Sequence, residues 1–306
     1  MLKKKIILLA GPTASGKSKL ALDLAKNIKG EIINADSMQA YKEFSILSSR
    51  PSDQDEQKVK HHLYGFISAK KLFSTGAWLK LVKIKIKHCY KHKKIPIIVG
   101  GTGLYFNAIT KGISKIPNID LKTRNKVRTL YRELGYKRFY DRLLKIDPKV
   151  KNRILPSDSQ RSQRAYEVMI KTKKSIYDWI LNTKSDFKNY EIKEIFLDTP
   201  RNVLLKNISL RTDLMFKKNC IDEVKHFNSI KVTKSYSANK LIGIREINEY
   251  LKGTITLKRC KELINIKTRQ YAKRQNTWAR GHMSNWNKLY SKDSEVLLKK
   301  VLKVVS

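Results

Sequence analysis

One octapeptide near the N-terminus constrains the fold more than any other feature. Gly11-Pro12-Thr13-Ala14-Ser15-Gly16-Lys17-Ser18 fits the pattern GxxxxGK(S/T) in full. It follows a short apolar run, Ile6 to Ala10, and opens an amphipathic stretch from Lys17 to Ile28. That strand–loop–helix context is what the pattern needs. Backbone N–H groups of such a loop, and of the helix behind it, point at an anion. Lys17 adds a full positive charge, and Ser18 can ligate Mg²⁺. The loop says that a phosphate compound binds and does not say which one.

The rest of the first half alternates strand and helix patterns. Glu31 to Asn34 reads as a second strand, ending in Ala35-Asp36-Ser37. Thr75 to Lys91 carries Leu79, Val82, Ile86, Cys89 and Tyr90 at helical spacing. Ile95 to Val99 reads as a buried strand closed by Gly100-Gly101, whose simplest role is a tight turn, and Thr102 to Thr110 as a helix. This order predicts an α/β fold, a P-loop-type parallel sheet core flanked by helices. From about Ile116 the texture changes. No strand pattern appears, short polar helices follow one another, and Pro117, Pro148 and Pro156 punctuate them. The expected organisation is therefore a core over 1–115, an all-helical insertion domain over 116–190, and a mostly helical second part of the core over 191–306. Lys193 to Leu197 returns as a core strand, and a long basic helix runs from about Leu257 to Ala279.

Composition narrows the class. No apolar run is long enough for a membrane span, and the short run before the phosphate loop reads as a strand, so a cytoplasmic protein is expected. Cys89, Cys220 and Cys260 form no CxxC pair, which argues against a zinc framework or disulfides. The formal charge of +40 suits a polyanionic partner such as nucleic acid, and a Lys-rich coding bias would give the same charge.

Asp36-Ser37-Met38-Gln39 sits where the second parallel strand should end, the edge at which open α/β sheets bind ligands. A carboxylate there can act as a general base or cap the next helix, and spacing allows both. Gln39 has the amide that reads an adenine edge. A P-loop nucleoside or nucleotide kinase, the alternative enzyme, needs an acidic Mg²⁺ ligand at the end of another strand. Ile95 to Val99 ends in glycines, and no clear apolar strand ending in Asp follows it. A non-catalytic RNA-binding P-loop protein would need neither Asp36 nor Thr102.

Several segments in order resemble one family, the tRNA dimethylallyltransferases, also called tRNA isopentenyltransferases. They are Gly11 to Ser18, Ala35 to Lys42, His61 to Leu63, Ile98 to Phe106, Asp147-Pro148, Ser157 to Val168, Ile242 to Ile247 and Thr268 to Arg280. The chain departs from the family pattern at Ser48-Ser49-Arg50-Pro51, at Ile244 where a Tyr is usual, and at Ser157 where an Asn is usual. The resemblance implies transfer of a dimethylallyl group from dimethylallyl pyrophosphate to N6 of the adenosine just 3′ of the anticodon, in tRNAs reading codons that start with U. It implies a catalytic set of Asp36, Thr102 and Lys17, and diphosphate binding by Gly11, Pro12, Thr13, Ala14, Ser15, Gly16, Lys17, Ser18 and Arg211, with Mg²⁺ on Ser18. It also implies contacts to the tRNA anticodon stem-loop from Asp36, Ser37, Met38, Gln39, Thr102, Arg124, Gln160, Arg161, Ser162, Gln163, Arg164, Lys240 and Arg245. A monomer is expected.

Smaller features carry bland readings. His61-His62 lacks a third ligand at helical spacing, so polar structural contacts are expected. Buried packing is expected for Trp78, Trp179 and Trp286, and Trp278 among basic residues is the one candidate for stacking on a base. Lys267, Arg269, Lys273, Arg274 and Arg280 on the long helix suit RNA or helix packing.

Overall fold

The computed structural model describes residues 4–306. The first half runs β1 (Lys4–Ala10), α1 (Lys17–Asn27), β2 (Gly30–Asn34), α2 (Asp53–Lys58), β3 (His61–His62), α3 (Thr75–Lys91), β4 (Ile95–Gly100) and α4 (Gly103–Thr110). Three helices follow, α5 (Leu121–Ile146), α6 (Ser159–Thr172) and α7 (Ile176–Leu181). The chain then runs through β5 (Tyr190–Leu197), α8 (Arg201–Lys217), α9 (Cys220–Ser229), α10 (Ile244–Leu251), α11 (Leu257–His282), β6 (Asn287–Leu289) and α12 (Ser294–Val305).

The six strands form one parallel sheet in the order β3-β2-β4-β1-β5-β6. Parallel strands are covered on both faces, so they read as continuous apolar runs rather than alternating ones. β1 obeys this: Ile6, Ile7, Leu8 and Leu9 are all fully buried. Ile7 and Leu9 pack with Ile32, Ile97 and Val99 against Leu20 and Leu24 of α1 and Val301 and Val305 of α12. A second cluster fixes the chain after β2 to the C-terminal helices. Phe44 and Leu47 pack there with Met215, Phe227, Ile244 and Ile264.

The chain divides into two compact units. One runs to Ile109 and resumes over Phe187–Ser306; the other is Thr110–Asp186. The smaller unit is helical and has its own core of Val127, Phe139, Leu143, Val150, Ile154 and Tyr166. Its first helix is broken at Gly135, whose φ of +68° is left-handed. The insertion expected over 116–190 differs at both bounds from the compact helical unit, which begins at Thr110 and ends at Asp186; Tyr190 pairs with Lys4 across β5 and β1, which puts residues 187–190 in the core. A correction concerns the strand-end acid. β5 ends Ile195-Phe196-Leu197 and Asp198 follows it, so an apolar strand ending in Asp does exist after β4. That Asp198 is exposed, and its N–H is bonded to Leu289 O.

Candidate active site

The phosphate loop lies between β1 and α1 and is held from behind by distant side chains. Gly16 has φ +85°, and a Cβ there would meet nothing within 4 Å, so backbone conformation rather than space requires glycine. Thr13 N donates to Gln275 Oε1 at 2.8 Å, while Gln275 Nε2 donates to Gly101 O at 2.9 Å. One amide of α11 thus joins the phosphate loop to the turn after β4. Asn207 of α8 donates to Ala14 O at 3.0 Å, and Arg211 one turn later donates to Thr13 Oγ1 at 2.6 Å and Leu47 O at 3.3 Å. Lys17 Nζ donates to Pro12 O at 3.1 Å.

The acidic segment is shaped by Asn34. Its Oδ1 accepts from Asp36 N at 2.7 Å, and its Nδ2 donates to Asp36 O and Leu63 O, both at 2.9 Å. Trp78 Nε1 donates to Asn34 O at 2.8 Å, and the indole stacks on Tyr105 with centroids 4.0 Å apart. Asp36 caps no helix. Its Oδ1 accepts from Met38 N at 2.9 Å in a tight turn, and irregular chain follows. Thr102 Oγ1 accepts from Ser37 N at 3.0 Å, so this hydroxyl holds the loop that carries Asp36. Gly100 does more than end a strand: a Cβ there would lie 2.1 Å from Ala35 O.

These two loops line one cavity of about 410 Å³. Its lining is cationic and rich in amides at residues 13–19, Arg211 and Arg274. It is apolar at Leu47, Ile208, Met215, Leu241, Ile242 and Ile264. Asp36, Ser37, Met38 and Gln39 line the same space. Burial lowers the Lys17 ammonium to about 8; the Asp36 carboxylate pulls it up and the Arg211 charge pushes it down further. Arg211 is also lowered by burial, with Asp36 opposing. Burial and the Asp36 charge push the Tyr271 hydroxyl upward.

The other expected site residues divide. Lys240 lines the cavity and is exposed, whereas Arg245 lies outside the lining and pairs with Glu249 at 2.8 Å. Gln39 lines the cavity with its Nε2 donating to Ser48 O at 3.1 Å and Ser49 O at 2.9 Å, which leaves its carbonyl for a base. In the helical unit Gln160 and Arg161 are exposed, and Gln163 is half-buried. Arg164 is half-buried and pairs with Glu167 at 3.2 Å. Arg124 is half-buried with its Nε enclosed. Ser162 is 1% exposed inside α6, so it packs rather than reaching a partner. Trp278 is half-buried and stacked on His282 at 4.3 Å, and it closes over Gly103. The basic face of α11 splits. Arg274 faces the site cavity, while Arg269, Lys273 and Arg280 line a second cavity of about 840 Å³ together with Asp198. Asp198 is thus outside the lining of the first cavity, although its neighbour Thr199 donates to Ser15 O of the phosphate loop at 3.4 Å.

A family model described as IPP transferase matches residues 39–282. The chain belongs to the IPP transferase family. A Pelagibacter ubique protein named tRNA dimethylallyltransferase is 53% identical over 287 residues, covering 94% of this chain and 92% of that protein. A Rickettsia felis tRNA dimethylallyltransferase is 40% identical over 297 residues, covering 96% of each. Among solved structures, the Bacillus halodurans tRNA isopentenylpyrophosphate transferase superposes with a TM-score of 0.70 at 30% identity, covering 99% of this chain and 97% of that one. A eukaryotic dimethylallyltransferase acting on tRNA gives 0.79 at 28% identity over 90% and 70%. Within this IPP transferase, sequence reading missed Gln275, Asn207 and Asn34. All three act through backbone groups and carry no charge pattern that would mark them.

Proposed function

We propose that the protein transfers a dimethylallyl group from dimethylallyl pyrophosphate to N6 of the adenosine just 3′ of the anticodon, in tRNAs that read codons beginning with U. The observation that carries this reading is the shared cavity, whose lining combines Asp36, an anion cradle and a set of apolar side chains. A diphosphate suits the loop amides, Lys17 and Arg211. A short branched hydrocarbon suits the wall of Leu47, Ile208, Met215 and Ile264. We take a monomer as the working unit. We place it in the cytoplasm with its tRNA substrate.

The base must leave its stack for N6 to reach the cavity. The N6 lone pair then forms a bond to the allylic carbon, and the carbon–oxygen bond to the diphosphate breaks with its electrons. The amine proton passes to the Asp36 carboxylate. Lys17, Arg211 and the loop amides stabilise charge developing on the leaving group. Ser18 lines the cavity at the start of α1 and is exposed, so its hydroxyl fits as a ligand for diphosphate-bound Mg²⁺. That ion would add positive charge against the departing oxygens. Thr102 steadies the Ser37 backbone and so the base. Exposed Gln160 and Arg161, with Arg124, Gln163, Arg164, Lys240 and Arg245, are proposed to contact RNA.

The test is incubation with unmodified tRNA, Mg²⁺ and labelled dimethylallyl pyrophosphate, with ATP as control. Label on one anticodon-loop adenosine is expected. ATP turnover with unlabelled RNA would overturn the reading in favour of a kinase.

A further inference from the structure

We propose that Glu31, His62 and His88 form a binding site for a divalent transition-metal ion, zinc first, at the end of β2 opposite the reaction centre. The three side chains come from β2, β3 and α3 and converge on one carboxylate oxygen. His62 Nε2 lies 2.7 Å from Glu31 Oε2, Cys89 Sγ 3.5 Å and His88 Nδ1 3.6 Å. The ligand atoms of Glu31, His62 and His88 all lie within 4.8 Å of one another. Glu31, His62 and Cys89 are buried. Sequence spacing hid the set, because His88 is on a helix far along the chain and Glu31 is the second residue of its strand.

Hydrogen bonding explains His62 and leaves His88 unexplained. His88 Nδ1 is closed off from solvent and makes no hydrogen bond among the described residues. Two imidazoles and a carboxylate are a zinc-type donor set with a fourth position open to water. Four-coordinate zinc places nitrogen and oxygen donors about 2.0–2.2 Å from the ion, hence roughly 3.3–3.6 Å from each other. The 3.6 Å separation of Glu31 and His88 already fits, and the 2.7 Å pair of Glu31 and His62 must open. His62 would present the Nε2 lone pair to the ion with its proton on Nδ1. The bound ion would pin α3 to β2 and β3, the strand and helix that also supply Asn34 and Trp78 to the reaction centre.

The experiment uses the full chain, stripped with a chelator and free of diphosphate, titrated with Co²⁺ and then Zn²⁺. One equivalent of cobalt should give four-coordinate visible bands abolished by zinc, and zinc should raise the thermal midpoint. His88→Ala, at a half-exposed helix position, should weaken binding by about tenfold or more while leaving the metal-free circular dichroism unchanged. Absence of the visible bands at one equivalent, or cobalt affinity indifferent to His88→Ala, would overturn the site. Because these readouts need no catalysis, their failure is separate from any failure of the transfer reaction.

Discussion

β2 is flanked by two carboxylates with opposite surroundings. Glu31, near its start, is buried and gripped by His62, with Cys89 and His88 beside it. Asp36, just past its end, is half-buried, is held through Oδ1 by one backbone N–H, and faces a cavity. The difference follows from the sheet. At the carboxyl edge of parallel strands the chain turns away to both sides and leaves space, while the body of the strand is packed on both faces. An acid within the strand needs fixed partners to remain ionised, and an acid beyond it is free to exchange a proton with a ligand.

The largest expected effect breaks this comparison at Asp36. Asp36→Ala should lower kcat by roughly 10²–10⁴-fold with tRNA affinity nearly intact. Equal losses in rate and in affinity would show that the carboxylate holds RNA rather than moving a proton. Glu31→Gln should do the reverse, lowering the thermal midpoint while kcat at permissive temperature stays close to the parent value.

Lys17 gives the next test. With its ammonium at about 8, the free protein carries that charge below pH 8 and loses it above. A bound diphosphate favours the charged form, so pyrophosphate affinity should fall about tenfold per pH unit above 8. In Lys17→Gln that slope should vanish; isothermal titration across pH 7 to 9.5, a window of about 2.5 units around it, reads both. Gln275→Ala should cost about 1–2 kcal/mol of stability and lower kcat/KM for the diphosphate donor about tenfold by loosening Thr13, with tRNA affinity unchanged. The smallest effect is at the RNA surface. Arg161→Ala should weaken tRNA binding and reduce the slope of log affinity against log salt by about one. Arg164→Ala should change the slope less, because its guanidinium is engaged by Glu167.

The core was legible because its signals are local and strong. The phosphate loop, the apolar runs of β1 and β4, and the helical spacing of α3 each specify an element on their own. β3 and β6 were not legible, since edge strands of two and three residues carry no period. Asp198 was overlooked although the strand before it was read, because only Ile195-Phe196-Leu197 of β5 is buried and the polar residues before it weaken the pattern of an apolar strand ending in Asp. At the site, charged residues in recognisable spacing were found, and neutral amides were not. Asn34, Asn207 and Gln275 look like ordinary polar residues until the fold brings backbone groups to them. Ser162 shows the converse, a residue inside a basic run that the helix turns inward.

The amide linking Thr13 to Gln275 spans 262 residues of chain. A ribosome makes the anion cradle's own eight residues early, yet the side chain that steadies them emerges only when most of the protein has been synthesised. A growing polypeptide therefore carries the whole phosphate motif for most of its translation without the brace that orders it, so donor capture is coupled to completion of α11.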